Sequence, residues 1–306
     1  MVRHFLRDDD ITPAEQRQII SRAIALKADR FAAQPLAGPQ TVALLFDKPS
    51  TRTRVSFSVG VTELGGSPMV IQSGESQLGA KESIADTARV LERMVSAIVW
   101  RTFAQSNVDE MAAGTTVPVI NSLTDEFHPC QLLADLQTIT EHKGDPAGLT
   151  VTFVGDGSSN MANSYLIACA MAGMHVRVAT PADHQPLADA VSSAQRIAGE
   201  TGASVLVTDD VVAAVTGADV VVTDTWVSMG QEADKAARIA TFTPYRVTPE
   251  LFALADSAAI FLHCLPAYRE YEVDAAVIDG PRSVIWDEAE NRLHAQKALL
   301  EFLLTA

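Results

Sequence analysis

The chain has 306 residues, of which 47% are hydrophobic and 20% are charged, a composition typical of soluble globular proteins. A single hydrophobic core rarely grows to this size, so the length predicts two domains of about 150 residues each. The net charge of −15 argues against nucleic acid as a partner, and no apolar run suits a signal peptide or a membrane span, so we expect a cytoplasmic protein.

The cysteines indicate a reduced protein without a zinc site. There are only three, Cys130, Cys169 and Cys264, and no two of them have CxxC spacing. An odd set without metal-ligand spacing predicts free thiols and neither a disulfide framework nor a bound metal.

Short apolar runs alternate with longer helical stretches along the chain, which predicts parallel α/β architecture. The strands predicted in the first half are Thr41–Phe46, Pro68–Gln72, Ala97–Arg101 and Val117–Asn121. Those predicted in the second half are Thr150–Val154, His175–Thr180, Ser204–Thr208, Asp219–Thr223, Ala259–His263 and Ser283–Trp286. Many are continuous Val, Ile and Leu runs, as expected where helices cover both faces of a sheet. We therefore predict an α/β fold of two doubly wound parallel-sheet domains.

Glycine and proline cluster over residues 143–148, which predicts a linker between a helix and a strand. This linker places the first domain at residues 1–142 and the second at residues 148–287. The last predicted helix covers residues 288–304, and its spacing alone does not indicate which domain it packs on.

The first strand is followed by a turn that leads into a helix, over residues 47–54. Ser50 is a good N-cap, and the free N–H groups of a first helical turn bind anions well. The hydroxyls of Ser50, Thr51 and Thr53 add donors, and the guanidinium of Arg52 suits a phosphate. The motif taken alone is equally compatible with a capped helix whose arginines are solvated.

Two further candidates follow later strands. Arg101 ends the third strand, at the sheet edge where ligands of parallel sheets bind. After the fourth strand, Pro129 suits a first helical position, so His128 would cap the helix and Gln131 would lie on the same side. Imidazole and amide groups can bind a planar urea-like group. Each residue in isolation is better explained as an ordinary surface or capping residue.

Together these motifs resemble the aspartate and ornithine carbamoyltransferase family. Residues 50–54 and 128–131 are similar to its two carbamoyl phosphate signatures, and Arg101 lies where the family has its strand-end arginine. Residues 76–83 are similar to the loop that reaches into a neighbouring subunit's site. Two more stretches, 224–230 and 263–266, resemble the ornithine branch. Because five motifs occur in order through nearly the whole chain, the resemblance outweighs the ordinary explanation of each one.

The resemblance implies a cyclic homotrimer with sites between subunits, and a C-terminal helix (288–306) that returns to complete the first domain. It implies a carbamoyl phosphate site formed by Ser50, Thr51, Arg52, Thr53, Arg101, His128, Gln131, Leu265, Arg292 and a neighbour's Gln77. Thr53, Arg101 and His128 are expected to act in catalysis by donating to the carbonyl oxygen. No cofactor is implied.

The second domain is expected to bind L-ornithine. By resemblance, Asp224 and Ser228 hold its α-ammonium, and they would lie close together if the turn after their strand is helical. Asn160 and the N–H of Met229 would hold its carboxylate, and Cys264 would lie beside the reacting amine in a catalytic role. The other explanation for Cys264 is a small buried hydrophobic residue.

The implied reaction is direct transfer of the carbamoyl group to the δ-amine of L-ornithine, giving L-citrulline and phosphate, with domain closure around the substrates. We expect a role in arginine metabolism, in biosynthesis rather than degradation, although both would use the same site chemistry. The sibling alternatives are aspartate carbamoyltransferase, whose substrate Asp224 would repel, and enzymes for modified ornithines, which should not need that carboxylate.

Two alternatives come from other classes. Residues 153–160 partly match a dinucleotide fingerprint, but Asn160 replaces its third glycine and the next strand lacks the acidic residue that binds ribose. A two-domain binding protein without chemistry would share the architecture, yet it has no reason to converge Arg52, Arg101, His128 and Gln131 on one phosphate-sized site.

Overall fold

A computed structural model describes residues 2–72, 82–227 and 234–305 of the chain. The chain forms two compact units: the first comprises Met1–Gln137 with Glu290–Ala306, and the second comprises Thr138–Ala289. Each contains a parallel sheet with helices. The predicted fold class is confirmed, including the return of the C-terminal helix to the first unit.

The first unit is built on four parallel strands in the order β2-β1-β3-β4. These strands are β1 (Thr41–Phe46), β2 (Ser67–Gln72), β3 (Ala97–Arg101) and β4 (Val119–Leu123). The helices that lie wholly in this unit are α1 (Pro13–Ala28), α2 (Thr51–Glu63), α3 (Ile84–Leu91) and α4 (Gln105–Ala113). The unit also holds the first part of α5 (Pro129–Lys143) and most of α12 (Ile285–Thr305).

The second unit has five parallel strands in the order β7-β6-β5-β8-β9. Its strands are β5 (Thr150–Val154), β6 (His175–Ala179), β7 (Ser204–Thr208), β8 (Val220–Thr223) and β9 (Ile260–Leu262). Its helices are α6 (Asn160–Met171), α7 (Ala188–Thr201), α8 (Val211–Val215), α9 (Lys235–Phe242), α10 (Pro249–Phe252) and α11 (Ala275–Ile278). Strands β5 and β8 and the edge strand β9 are entirely buried, as their apolar sequences predict.

Strand order decides which loops meet in each unit. The carboxyl ends of β1, β3 and β4 are adjacent in the first sheet, so the loops after them share one edge. Phe46 and Arg101, the last residues of β1 and β3, pair directly. In the second sheet the adjacent strands β5, β8 and β9 bring together the loops that lead to Asn160, Asp224 and Cys264.

The predicted strand at Ser283–Trp286 is wrong. Only Ser283 makes a bridge, with Phe261, and α12 already begins at Ile285, three residues before its predicted start. Hydropathy does not distinguish so short an apolar run as strand or helix. The acidic side chains of Asp287 and Glu288 in the first turn favour a helix start through the helix dipole.

The fourth strand lies two residues later than predicted, at Val119–Leu123. Pro118 precedes it and has no N–H to donate to the sheet, which is consistent with a strand that starts after it. Among the described residues, none of the helices combines the length and apolarity that a bilayer crossing needs.

Candidate active site

In the first unit, the turn after β1 forms the predicted capped helix start. Ser50 is the N-cap of α2, and its hydroxyl accepts a hydrogen bond from the N–H of Thr53 at 3.3 Å. Thr51 is exposed and Arg52 partly exposed, whereas Thr53 is buried. The turn therefore presents the start of α2 and the Arg52 guanidinium at the sheet edge.

A buried polar cluster lies next to this turn. Arg292 of α12 donates to Oε1 of Gln131 at 2.5 Å and to the hydroxyl of Thr53 at 3.2 Å. The Gln131 amide donates to Asp135 at 2.8 Å. His128 directly precedes α5, as predicted, and its carbonyl accepts from the N–H of Gln131 at 2.9 Å. Thus α12 joins residues that the sequence places far apart.

The electrostatics of the cluster keep its histidine neutral. Burial, followed by the positive charges of Arg292, Arg101 and Arg52, holds the pKa of His128 well below its ordinary value. A neutral imidazole can still donate one hydrogen bond. The same three guanidiniums make a positive environment that suits a phosphate group.

The second unit brings Asp224 and Cys264 together. Asp224 follows β8, and Cys264 lies two residues beyond the end of β9. The Cys264 thiol donates to Oδ1 of Asp224 at 3.3 Å. Burial raises the pKa of Asp224, although His263 and hydrogen bonds from the Thr225 N–H and the thiol partly offset this. A carboxylate that is costly to keep ionised in its surroundings is well suited to a cationic ligand.

A buried pair of side chains supports the loop after β9. Leu265 has a φ of +58°, uncommon for a leucine, and its N–H donates to Nδ1 of His263 at 2.9 Å. Because Nδ1 accepts, the ring proton lies on Nε2, which is 3.3 Å from Oε1 of Glu272. Sequence reasoning did not identify Glu272, since it stands in an irregular loop and only its complete burial distinguishes it.

Asp224, His263 and Cys264 each offer one potential metal ligand, and these atoms lie within 4.8 Å of one another. Both ring nitrogens of His263 already have protein partners. A metal ion would have to displace one of these partners, so we interpret the three side chains as a hydrogen-bonded group and not as a metal site.

The geometry of the turn after β5 explains the glycines of this loop. Gly155 has a φ of +133°. A Cβ on Gly157 would lie 2.6 Å from the carbonyl oxygen of His184. The N–H of Gly157 donates to the hydroxyl of Thr180 at 2.9 Å, and Thr180 occupies the position where a dinucleotide site would place its acidic residue. The turn ends with Asn160 as the first residue of α6.

Three predicted site residues, Gln77, Ser228 and Met229, lie outside the described residues. Residues 224–227 form no helical turn. Thr225 and Val227 are β-branched, and such residues favour extended backbone. The predicted site residues that the structure describes fall into two groups, one in each unit. They are Ser50 to Thr53, Arg101, His128, Gln131 and Arg292 in the first unit, and Asn160, Asp224, Cys264 and Leu265 in the second.

Comparison with protein families gives two matches that together cover most of the chain. Residues 3–141 match the "Aspartate/ornithine carbamoyltransferase, carbamoyl-P binding domain" family, and residues 147–303 match the "Aspartate/ornithine carbamoyltransferase, Asp/Orn binding domain" family.

Individual proteins are similar over their full length. Ornithine carbamoyltransferase of Clavibacter michiganensis subsp. michiganensis is 66% identical over 304 residues, which are 99% of this chain and 99% of that protein. The ornithine carbamoyltransferase structure from Pyrococcus furiosus has a TM-score of 0.94 and 45% identity, and covers 97% of this chain and 96% of its own. The anabolic ornithine carbamoyltransferase structure from Campylobacter jejuni has a TM-score of 0.93 and 37% identity, and covers 98% of each chain.

Proposed function

This chain belongs to the aspartate/ornithine carbamoyltransferase family, and we propose that it transfers the carbamoyl group of carbamoyl phosphate to the δ-amine of L-ornithine, giving L-citrulline and phosphate. The observation that carries the choice of acceptor is the Asp224 carboxylate beside the Cys264 thiol, at the ends of adjacent strands. An anionic group suits the α-ammonium of ornithine and would repel the second carboxylate of aspartate.

The first unit supplies the proposed carbamoyl phosphate site. Its phosphate would lie on the N–H groups of residues 51–53, with Ser50, Arg52, Arg101 and Gln77 of a neighbouring subunit as further donors. Helix N-termini and guanidiniums are general phosphate-binding groups. The hydrogen bonds from Arg292 to Gln131 and Thr53 support a shared role for these side chains in holding the carbamoyl group.

The second unit supplies the proposed ornithine site. Asp224 and Ser228 would hold the α-ammonium, and Asn160 and the N–H of Met229 the carboxylate. Cys264 would lie beside the δ-amine and hold it towards the carbamoyl carbon. The carbonyl of Leu265 would accept from the carbamoyl nitrogen, and the His263–Glu272 pair supports the backbone there.

We propose direct transfer without a covalent enzyme intermediate. Carbamoyl phosphate is already activated, so the protein mainly has to orient the reactants and stabilise charge. The neutral δ-amine attacks the carbamoyl carbon, the carbonyl oxygen gains negative charge, and the C–O bond to phosphate breaks. Thr53, Arg101 and His128 would donate to that oxygen, and the departing phosphate accepts the amine proton.

A product assay tests the proposal. With carbamoyl phosphate and L-ornithine, the purified protein should form citrulline and phosphate in equal amounts. L-aspartate, N-acetyl-L-ornithine and putrescine in parallel should give little product. Aspartate has no δ-amine, acetylornithine has no α-ammonium for Asp224, and putrescine has no α-carboxylate. Preferred turnover of any of these three acceptors would overturn the assignment of ornithine.

We place this activity in arginine biosynthesis in the cytoplasm. Citrulline carries the ureido group from which a guanidinium can be built, so its formation fits a biosynthetic route. The resemblance to the Campylobacter jejuni protein, whose name specifies an anabolic enzyme, supports that direction.

We further propose that the protein is a homotrimer. Val55 and Val59 on α2 and Met69 on the edge strand β2 expose 54%, 36% and 50% of their surface. A cavity of about 370 Å³ is lined in part by Ser50, Thr51, Arg54, Val55 and Gln72. Exposed apolar side chains next to a cavity at the phosphate loop suit contact with another subunit.

The trimer should appear in light scattering as three times the chain mass of 32.7 kDa. Val55→Glu would place a charge in that contact and should lower the mass and the activity together. Val212→Glu is the matched control, because Val212 in the second unit is 53% exposed, much like Val55 at 54%. A wild-type mass of one chain would refute the trimer.

A further inference from the structure

Arg238 of α9 joins two loops of the second unit. Its Nε donates to the carbonyl oxygen of Trp226 at 2.6 Å, and its Nη2 forms an ion pair with the Asp156 carboxylate. The two charged side chains are 13% and 5% exposed, so the pair is largely shielded from solvent. This arrangement is unlike a surface ion pair, which typically contributes little.

The partners of Arg238 belong to the two loops that carry proposed ornithine ligands. Trp226 lies two residues after Asp224, in the loop after β8. Asp156 lies four residues before Asn160, in the turn after β5. Strands β5 and β8 are neighbours, so their register sets where both loops begin. The guanidinium of Arg238 connects the two loops a few residues beyond the strand ends.

The surrounding side chains hold this connection in place. Oδ1 of Asp156 accepts from the N–H and the hydroxyl of Ser158, at 3.0 and 2.6 Å. The Trp226 indole lies against Gly155, where an added Cβ would be 3.4 Å from Nε1. The guanidinium of Arg238 also lies 5.2 Å from the ring centre of Phe242, close enough for a cation–π contact.

We propose that Arg238 is a positioning residue for the acceptor site. It sets the separation of Asp224 and Asn160 so that one amino acid spans them. The inference rests on the proposed function. A guanidinium suits this task because its planar fork donates in two fixed directions, to a carbonyl and to a carboxylate. The ammonium of a lysine lacks that fixed geometry.

Steady-state kinetics of Arg238→Met test the proposal. Because a displacement of about 1 Å can cost about 10²-fold in rate, we expect kcat/KM for ornithine to fall by about 10²-fold, with KM raised by about tenfold. The KM for carbamoyl phosphate should stay within about twofold, since Arg238 lies in the other unit. Binding of L-norvaline, which has the ornithine skeleton without the δ-amine, should weaken in parallel in calorimetry.

Arg282→Met is the matched control. Arg282 also lies in the second unit, donates to a backbone carbonyl (Asp256, 3.2 Å) and stacks over a phenylalanine (Phe252, 3.9 Å), but Asp256 precedes β9 and so lies at the opposite edge of the sheet. Its kinetic constants should equal those of the wild type.

Arg238→Lys separates geometry from folding, because it keeps the charge beside Asp156. It should raise the KM for ornithine by about fivefold or more while circular dichroism stays unchanged. Wild-type kinetics in the lysine variant, or equal rises in both KM values in the methionine variant, would overturn the positioning role. A wild-type protein that forms no citrulline would instead refute the proposed function itself.

Discussion

Arg101→Ala should lower turnover by about 10²–10³-fold, the usual cost of removing one donor to a developing oxyanion. Arg101 ends β3, pairs with the last residue of β1 and is only 7% exposed, so its position is set by the sheet. Its charge also acts on His128, whose pKa it helps to lower. The proposed role combines contact with the phosphate and with the carbonyl oxygen.

The measurement is the initial rate of citrulline formation at saturating substrate. Arg93→Ala is the control, because Arg93 belongs to the same unit but is exposed and precedes β3, at the opposite edge of the sheet. It should turn over like the wild type. If Arg101→Ala kept turnover within about threefold of the wild type, the oxyanion role would have to be abandoned.

Much of the fold follows from local sequence signals. Continuous apolar runs identify the buried strands, and Ser50 and Ser159 mark helix starts through their side-chain caps. The error at Ser283–Trp286 is equally physical: a run of only three apolar residues (284–286) fits a strand or a helix, and the choice depends on the acidic residues that follow.

The candidate site likewise contains some residues that local sequence signals identify and some contacts that they do not. Arg101, His128, Asp224 and Cys264 could be selected from sequence because each ends or follows an apolar strand, and parallel strands gather such residues at one edge of each sheet. Their roles stay proposals. By contrast, the Arg238–Asp156 pair spans 82 positions and depends on α9 packing near the β5 turn. No local pattern predicts such a pair, nor the burial of Glu272 beside His263.

Asp224→Asn should remove most of the affinity for ornithine. Truncating one partner of a buried charge pair costs about 2–5 kcal/mol, which corresponds to roughly 30- to 5,000-fold in kcat/KM for ornithine. Asparagine keeps the size of the side chain and can still accept from the Cys264 thiol, so the change is mainly one of charge. The KM for carbamoyl phosphate should change little, because Asp224 belongs to the second unit.

The pH dependence provides a second test of Asp224. Because burial raises its pKa, part of the free enzyme carries a protonated Asp224 at acidic pH. The α-ammonium of ornithine favours the ionised form and lowers that pKa on binding, so binding releases a proton. Ornithine should therefore bind more tightly as the pH rises through the pKa of Asp224 in the free enzyme, and its affinity should then level off.

A second proton controls the chemical step. The δ-ammonium of ornithine, with a pKa of about 10.4 in water, cannot attack until it is deprotonated, so turnover should also climb as the pH rises through neutrality. In Asp224→Asn the rise of kcat/KM for ornithine at acidic pH that comes from ionisation of Asp224, the acidic limb of the profile, should disappear. The rise caused by deprotonation of the δ-amine should persist. A variant that retained both limbs would assign the acidic limb to another group, and the α-ammonium would then need a different partner.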